Sequence, residues 1–219
     1  MKVGVIIADR GDRPQFVENM WRMLNAQTVM PYSICVKEWP PVSEKADITT
    51  RYREAYQEPM FNPCDVIAFI ENDDWYSPTF LEVMLNEWDH HERPDLFGTR
   101  QTIYYHLKLK KWMTMKHEMR SPAMSTLIKP GLKFPWPLPH DPYTDAWLWN
   151  LPHLYRTLFL PEKTICIGMK HGVGKTGGGM HNDNLHRYTN DDSNMDWLRE
   201  TVDKDSFEFY KSISKKLNA

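Results

Sequence analysis

The sequence is poor in several features that would place it in a familiar class of protein. Its three cysteines, Cys35, Cys64 and Cys166, are scattered and form no CxxC pair. This argues against a disulfide-stabilised scaffold and predicts a reduced, cytoplasmic protein. No apolar run approaches the roughly 20 residues that span a bilayer, and the first apolar segment is too short for a signal peptide. The net charge of −2 provides no overall basic field for a nucleic acid.

Short apolar segments alternate with segments of helical spacing in the first part of the chain. Residues 2–8, 32–37 and 65–70 are apolar and rich in β-branched side chains, as in buried strands. Helical spacing follows at Pro14, at 47–56 and at 78–88, and Asp47 is expected to cap the helix over 47–56. This alternation predicts a parallel α/β core.

The pattern changes after about residue 94. The later sequence predicts strands at 96–99, 102–115 and 164–169 and a helix at 145–155. Residues 195–217 are expected to form a packing helix or an arm. The whole chain of 219 residues is long enough for one domain with a sizeable core.

Three carboxylates directly follow the third predicted strand. In the stretch CDVIAFIENDDWYSPTFLEVML, apolar residues 66–70 lead into Glu71, Asn72, Asp73 and Asp74. Ligands of open parallel sheets bind beyond the carboxyl ends of the strands, so chemistry is expected at this point. Oxygen ligands suit hard divalent cations, and a diphosphate needs such a cation. The alternative is a polar turn in which Asp73 or Asp74 caps the next helix.

Four segments of the chain share their pattern with one family of enzymes. IENDDWYSPTFLEVML has a strand that ends in acids, followed by an aromatic residue, a proline and a helix. It resembles the metal-binding segment of GT-A glycosyltransferases, especially the family-2-like group. VGVIIADRGDRPQFVENMWRMLNAQT resembles their first strand, loop and helix, ADITTRYREAY a helix that contacts the nucleotide, and TDAWLWN the acidic segment that supplies the base.

The resemblance implies a fold and a division of the chain. The fold would be α/β, with a central, mostly parallel, Rossmann-like sheet flanked by helices. One GT-A domain would cover residues 1–190, with a nucleotide-binding half at 1–93 and an acceptor half at 94–190. Residues 191–219 would form a C-terminal helix or arm.

The resemblance also implies a role for each matching residue. Asp73 would bind Mn²⁺ or Mg²⁺ together with His171, and the metal would hold the diphosphate of a nucleotide-sugar donor. Asp145 would deprotonate the acceptor hydroxyl in a single displacement with inversion, and its alternative role is a helix cap. The residues expected to contact the nucleotide sugar are Ala8, Arg10, Arg51, Glu71, Asn72 and Lys175.

The stretch CIGMKHGVGKTGGGMH permits three interpretations. A P-loop has the pattern GxxxxGK[ST] and would require a glycine where Met169 stands. In the second interpretation, Lys175 and the backbone N–H groups of residues 172–179 close over the diphosphate as a mobile lid beside His171. The third interpretation is a flexible surface loop.

The acceptor is less well defined by the sequence. The residues expected on the acceptor side are Asp74, Trp75, Trp112 and Trp136, because aromatic faces suit sugar rings. The basic segment HLKLKKWMTMKHEMR contains Trp112 and is interpreted as an electropositive acceptor surface. The alternative is a hairpin with one solvated face. A saccharide or glycolipid is the expected acceptor. A modified DNA base, as in some small viral GT-A-like enzymes, is the alternative, and a non-catalytic nucleotide- or carbohydrate-binding module is also open.

Overall fold

The computed structural model describes residues 1–38, 47–172 and 184–218. Its strands in chain order are β1 (Val3–Asp9), β2 (Ser33–Glu38), β3 (Val66–Glu71), β4 (Trp75–Tyr76), β5 (Leu96–Thr99), β6 (Gln101–His106), β7 (Lys111–Lys116), β8 (Thr126–Ile128), β9 (Arg156–Phe159), β10 (Cys166–Lys170) and β11 (Asn190–Asp191). Its α-helices are α1 (Pro14–Asn25), α2 (Ile48–Tyr56), α3 (Phe80–His90), α4 (Thr144–Trp149), α5 (Asp196–Thr201) and α6 (Lys204–Leu217). In the part of the chain that is described, no helix is long and apolar enough to cross a membrane.

The central sheet has the strand order β2-β1-β3-β8-β5-β9. β1 lies between β2 and β3 and runs parallel to both, with Ala8 in register with Glu71. β8 is antiparallel to its neighbours β3 and β5, whereas β9 is parallel to β5. The predicted α/β fold with a mostly parallel central sheet is therefore confirmed, and β8 is the strand that departs from the parallel arrangement.

β3 is apolar along its length because both of its faces are covered. Val66, Ala68 and Ile70 pack in the cluster that includes side chains of α1, α3 and α6. Ile67 and Phe69 point the other way, into the cluster that includes α2 and α4. Full burial of one such side chain is worth about 1.5–3 kcal/mol. This burial fixes β3 in the sheet and therefore fixes the point at which its acidic end emerges.

A second sheet, with the order β11-β7-β6-β10-β4, lies beyond the acidic end of β3. β6 and β7 form an antiparallel hairpin, so the strand predicted over 102–115 is interrupted by a turn. β10 runs parallel to β6 and antiparallel to the short β4. Because β4 follows β3 after three residues, residues 72–74 carry the chain from the central sheet to the second sheet.

Two helical predictions were correct in type but wrong in extent. α4 ends at Trp149 rather than at 155, and Pro152 disfavours a helical conformation for the residue before it. Residues 195–217 form two helices, because Val202 is extended and Asp203 caps α6 by accepting the backbone N–H of Ser206 at 3.0 Å. α6 packs into the core through buried side chains that include Phe207, Tyr210 and Ile213.

Candidate active site

The acidic turn, residues 71–74, lies at the carboxyl end of β3. The backbone N–H of Asp74 donates to the carbonyl of Glu71 at 3.3 Å. One carboxylate oxygen from each of Glu71, Asp73 and Asp74 lies within 4.8 Å of the others. The N-cap residue of α3 is Thr79, so the alternative that Asp73 or Asp74 caps this helix is wrong. The tyrosine hydroxyl of Tyr210 donates to the carbonyl of Asp73 at 3.2 Å, which ties the turn to α6.

Asp73 contacts two side chains that come from distant parts of the chain. Its Oδ2 lies 2.8 Å from Nε2 of His171, the residue that follows β10. Nη1 of Arg13 donates to the same Oδ2 at 2.5 Å and lies 3.2 Å from the histidine nitrogen. Nη2 of Arg13 donates to Oδ1 of Asn72 at 3.0 Å. An aspartate, a histidine and an arginine therefore meet at one carboxylate oxygen.

Asp74 is held through one of its two carboxylate oxygens. Its Oδ1 accepts the backbone N–H of Met169 at 2.7 Å. Its Oδ2 is buried and has no hydrogen-bond partner within the described residues. An unpaired buried polar atom is costly, so this oxygen is suited to an additional positive partner. The neighbouring Asn72 donates from Nδ2 to Oδ1 of Asp9 at 2.8 Å, which connects the acidic turn to the end of β1.

Burial dominates the electrostatics of the acidic turn. It raises the pKa of Glu71 to about 7, while Lys170 acts in the opposite direction. Burial, together with the charge of Glu71, raises the pKa of Asp74 well above its ordinary value. Burial lowers the pKa of Lys170, but the carboxylates of Asp74 and Glu71 outweigh this effect and raise it. The turn therefore has more negative groups than its surroundings neutralise, and a cation would relieve this imbalance.

The residues of the acidic turn fit a hard divalent cation such as Mn²⁺ or Mg²⁺. Such ions prefer carboxylate oxygens, and Glu71, Asp73 and Asp74 present three of these close together. Imidazole nitrogen suits several divalent transition metals, and His171 places one beside Asp73. The unpaired Oδ2 of Asp74 is consistent with the same fit.

A second charged group lies between the end of β1 and the start of α2. Asp47 accepts a hydrogen bond from Nη2 of Arg51 at 2.6 Å, and its carboxylate lies 3.6 Å from Nε of Arg10. Asp47 occupies the N-cap position of α2, as predicted, but its side chain makes no capping hydrogen bond, because its carboxylate binds these guanidinium groups. Burial lowers the pKa of Arg51, although Asp47 acts to raise it. Ala8 of β1 pairs with Glu71 of β3, so the end of β1 that leads to Arg10 lies beside the acidic turn.

Asp145 lies in the first turn of α4 and not at its N-cap position. Its Oδ2 accepts a hydrogen bond from Nη1 of Arg120. The preceding Thr144 is hydrogen-bonded to Thr49, which fixes the start of α4 beside α2. Burial raises the pKa of Asp145, whereas Arg120 lowers it. The charge of Asp145 also acts on the pKa of Glu71, so the two carboxylates are within electrostatic reach of each other.

Two of the predicted acceptor tryptophans are engaged by other parts of the chain. Trp75 is 2 % exposed, and its indole N–H donates to Oδ2 of Asp203 at 3.0 Å. The ring of Trp112, on β7, stacks on Trp197 of α5 with 4.5 Å between centroids. Both rings therefore pack within the protein in this structure.

Trp136 lies in a different environment, at the edge of a cavity of about 380 Å³. Its ring centroid is 5.7 Å from that of Tyr56 and 5.1 Å from that of Phe134. The ring centroid of Phe134 lies 6.2 Å from that of Trp147 on α4, which links these aromatic side chains to that helix. Polar side chains, including Gln57 and other residues at the carboxyl end of α2, also line the cavity.

The glycine-rich segment is described as far as Gly172, whose φ of 66° is in the left-handed region. Lys175, the later glycines of the predicted lid and the Gly-Lys-Thr of the P-loop alternative lie outside the described residues. The predicted mobility of this lid and its contact with a diphosphate therefore stay predictions.

Comparison with solved structures settles the fold. TarS from S. aureus matches with a TM-score of 0.51 and 11 % identity, over 78 % of this chain and 37 % of that one. Residues 1–349 of TarS, in complex with UDP-GlcNAc, match with a TM-score of 0.54 and 11 % identity, over 82 % of this chain and 61 % of that one. This chain has the GT-A glycosyltransferase fold. No protein-family model and no curated protein sequence matches it.

The match to TarS is a match of fold alone, because the identity is so low. The chain also spans less than two thirds of each TarS structure. Roles within this GT-A fold therefore depend on the geometry of the chain's own side chains.

Sequence analysis missed three cations of the candidate active site, Arg13, Lys170 and Arg120. Lys170 ends β10 directly before His171, so the strand-end argument that identified the acidic turn would also have found it. Arg13 is 60 residues from Asp73, and Arg120 is 25 residues from Asp145. No local pattern indicates either pair, because only the tertiary fold brings their members together.

Proposed function

We propose that this protein is a glycosyltransferase that moves a sugar from a nucleotide-diphosphate donor to an acceptor hydroxyl, assisted by a divalent cation. The main supporting observation is the contact between Oδ2 of Asp73 and Nε2 of His171, which lie 2.8 Å apart at the carboxyl ends of two strands of a GT-A fold. TarS, which shares the fold, was crystallised with UDP-GlcNAc. Within the fold, the proposed class is the family-2-like group.

The proposed donor site uses the charges around these strand ends. Arg10 and Arg51 provide guanidinium groups, which suit phosphate and ribose oxygens. Asn72 and Glu71 lie beside them at the end of β3, and Lys175 is a further proposed contact outside the described residues. Mn²⁺ or Mg²⁺, bound by Asp73 and His171, would stabilise the charge on the leaving diphosphate.

Asp145 is the proposed general base. Its pKa is raised by burial, which makes its carboxylate a better proton acceptor than a free aspartate. Arg120 binds this carboxylate, so it has to share or release Asp145 when the acceptor hydroxyl arrives. Direct attack with a base on the acceptor gives inversion at the anomeric carbon.

A saccharide or glycolipid hydroxyl is the proposed acceptor. The supporting observation is the aromatic cavity at Trp136, which is connected to α4 and hence to the proposed base. Asp74, Trp75 and Trp112 stay proposed acceptor-side residues, although Trp75 and Trp112 would need to change their present packing to present a ring face. A modified DNA base is the alternative acceptor.

One observation favours a second candidate function, a nucleotide- or carbohydrate-binding module without catalysis. Each of the two acids that the chemistry needs is ion-paired with an arginine, Asp73 with Arg13 and Asp145 with Arg120. A pair of permanently neutralised acids would bind ligands but would not transfer sugar.

A panel of nucleotide sugars separates the two functions. The protein is incubated with UDP-, GDP- and other nucleotide sugars, with Mn²⁺ or EDTA, and release of the nucleoside diphosphate is measured by mass spectrometry. The transferase predicts slow, Mn²⁺-dependent hydrolysis of one donor, lost in Asp73→Asn. A donor that binds and stays intact, with and without candidate acceptors, would favour the binding module. NMR of the transferred sugar then determines whether the configuration inverts.

A further inference from the structure

Arg13 binds the atoms that the proposed cation needs. Its Nη1 is 2.5 Å from Oδ2 of Asp73 and 3.2 Å from Nε2 of His171, and its Nη2 donates to Asn72 at 3.0 Å. The side chain of Arg13 is 12 % exposed and that of Asp73 is 11 % exposed. This contact is therefore an enclosed part of the site and differs from a surface ion pair, which solvent would screen.

A divalent cation and this guanidinium cannot both occupy the same edge of Asp73. Both are positive, and the oxygen that Arg13 contacts is also the oxygen nearest to the histidine nitrogen. Like charges at such a separation repel strongly where solvent is largely excluded. Either Arg13 leaves Asp73 when a cation binds, or Asp73 takes no cation.

Arg13 is placed so that it can leave without disturbing the fold. It precedes α1, whose first residue is Pro14, and it makes its contacts through the far end of a long side chain. Oδ1 of Asp9, at the end of β1, accepts the backbone N–H of Gly11 at 3.2 Å, so the loop before Arg13 has a hydrogen bond of its own that does not involve the guanidinium. A guanidinium released at this strand end would suit the oxygens of a diphosphate.

We propose that Arg13 is an exchangeable counterion of Asp73. It neutralises Asp73 in the nucleotide-free protein, and it transfers to the donor diphosphate when a divalent cation takes its place on Asp73. This inference rests on the proposed function for the presence of a cation and a diphosphate. It adds a residue that controls when the cation binds.

The test is Mn²⁺ binding to the nucleotide-free protein, measured from the EPR signal of free Mn²⁺. Arg13→Gln should bind Mn²⁺ at least about tenfold more tightly than wild type, because the competing charge is gone. Lys163→Gln is the matched control, since it removes one positive charge from an exposed residue that precedes β10, whereas the site follows that strand. Its Mn²⁺ affinity should equal that of wild type. Asp73→Asn added to Arg13→Gln should abolish the gain.

A second measurement covers the diphosphate half of the exchange. With saturating Mn²⁺, calorimetry should show about tenfold weaker UDP binding by Arg13→Gln than by Lys163→Gln. If Arg13→Gln does not fold, as judged by thermal unfolding, Arg13→Lys replaces it and should show smaller changes in the same directions.

Equal Mn²⁺ affinity in wild type and Arg13→Gln, or no Mn²⁺ binding by either, would overturn the exchange. If Arg13→Gln binds Mn²⁺ more strongly but binds UDP as wild type does, Arg13 does not move to the diphosphate. The EPR titration contains neither donor nor acceptor, so it can succeed where sugar transfer fails. Sugar transfer in EDTA would support the proposed transferase activity but would contradict both its proposed cation and the exchange.

Discussion

Replacing Arg120 by glutamine removes the cation that binds the proposed general base. The Asp145 side chain is 14 % exposed, so its carboxylate would be left in a largely buried position with backbone N–H donors from its own helix turn. Burial already raises the pKa of Asp145, and Arg120 opposes this effect. An adjacent opposite charge lowers the pKa of a carboxylate by about 1–3 units. We therefore expect Arg120→Gln to raise the pKa of Asp145 further.

The direction of the pH effect follows from the active form of the base. Asp145 accepts a proton only when it is ionised, so the rate falls about tenfold for each pH unit below its pKa. The acid limb of kcat/KM should therefore move to higher pH in Arg120→Gln. Above that limb the variant should be at least as fast as wild type, because its base is stronger and no longer ion-paired.

The assay is the pH profile of sugar transfer between about pH 4 and pH 9, with the donor identified by the nucleotide-sugar panel. Arg100→Gln is the matched control, because it removes an arginine charge from an exposed position before β6. Its acid limb should coincide with that of wild type. If the limb of Arg120→Gln also stays in place, Asp145 is not the titrating base, or Arg120 does not set its pKa.

Three further changes test other parts of the structure. Asp145→Asn should leave UDP affinity nearly unchanged in calorimetry while transfer falls about 10²- to 10⁴-fold, because a base acts on the acceptor alone; wild-type turnover would remove its catalytic role. Burial lowers the pKa of His117 to about 4, below the unfolded value of about 6.5. On this histidine the unfolded state therefore binds more protons in this interval, so the contribution of His117 to stability should fall by about 3 kcal/mol from pH 6.5 to pH 4, measured as the difference between wild type and His117→Gln in urea unfolding. His117→Gln should lack this pH-dependent loss of stability. If its free energy of unfolding varies with pH as that of wild type does, the assigned pKa of His117 is wrong. Asp203→Ala removes the cap of α6 and the acceptor of the Trp75 indole N–H, so it should lower the free energy of unfolding by about 1–3 kcal/mol. The control Asp205→Ala changes a side chain that is 74 % exposed and should lower it by at most about 0.5 kcal/mol. Equal losses in the two variants would argue against the cap.

The parts of the fold that sequence analysis predicted are those governed by local patterns. β1 and β3 were predicted because their side chains are apolar on both faces, and the structure covers both faces with helices. The acidic turn was located from the same pattern, since Glu71 is the residue at which the apolar run stops. The site at the carboxyl end of β3 was therefore found from the point where the apolar run ends and buried polar residues begin.

The parts that were missed depend on contacts between distant segments. β4 has two residues, Trp75 and Tyr76, and pairs with β10, about 90 residues later in the chain. No periodicity can reveal so short a strand. Asp47 occupies the predicted N-cap position, but its side chain makes no capping hydrogen bond for a related reason, because Arg10 and Arg51 bind its carboxylate. Local propensity indicates what a side chain is able to do, but its nearest partners determine what it does.

We propose that the acidic turn binds a nucleotide diphosphate through a divalent cation. Calorimetry of UDP and GDP with wild type, in Mn²⁺ and in EDTA, tests it most directly, with Asp73→Asn as the site variant and Asp205→Asn as the matched control at an exposed acid. Wild type should bind one nucleotide tightly in Mn²⁺ and weakly in EDTA, and Asp73→Asn alone should lose this difference. Equal affinity of wild type in Mn²⁺ and in EDTA would contradict it.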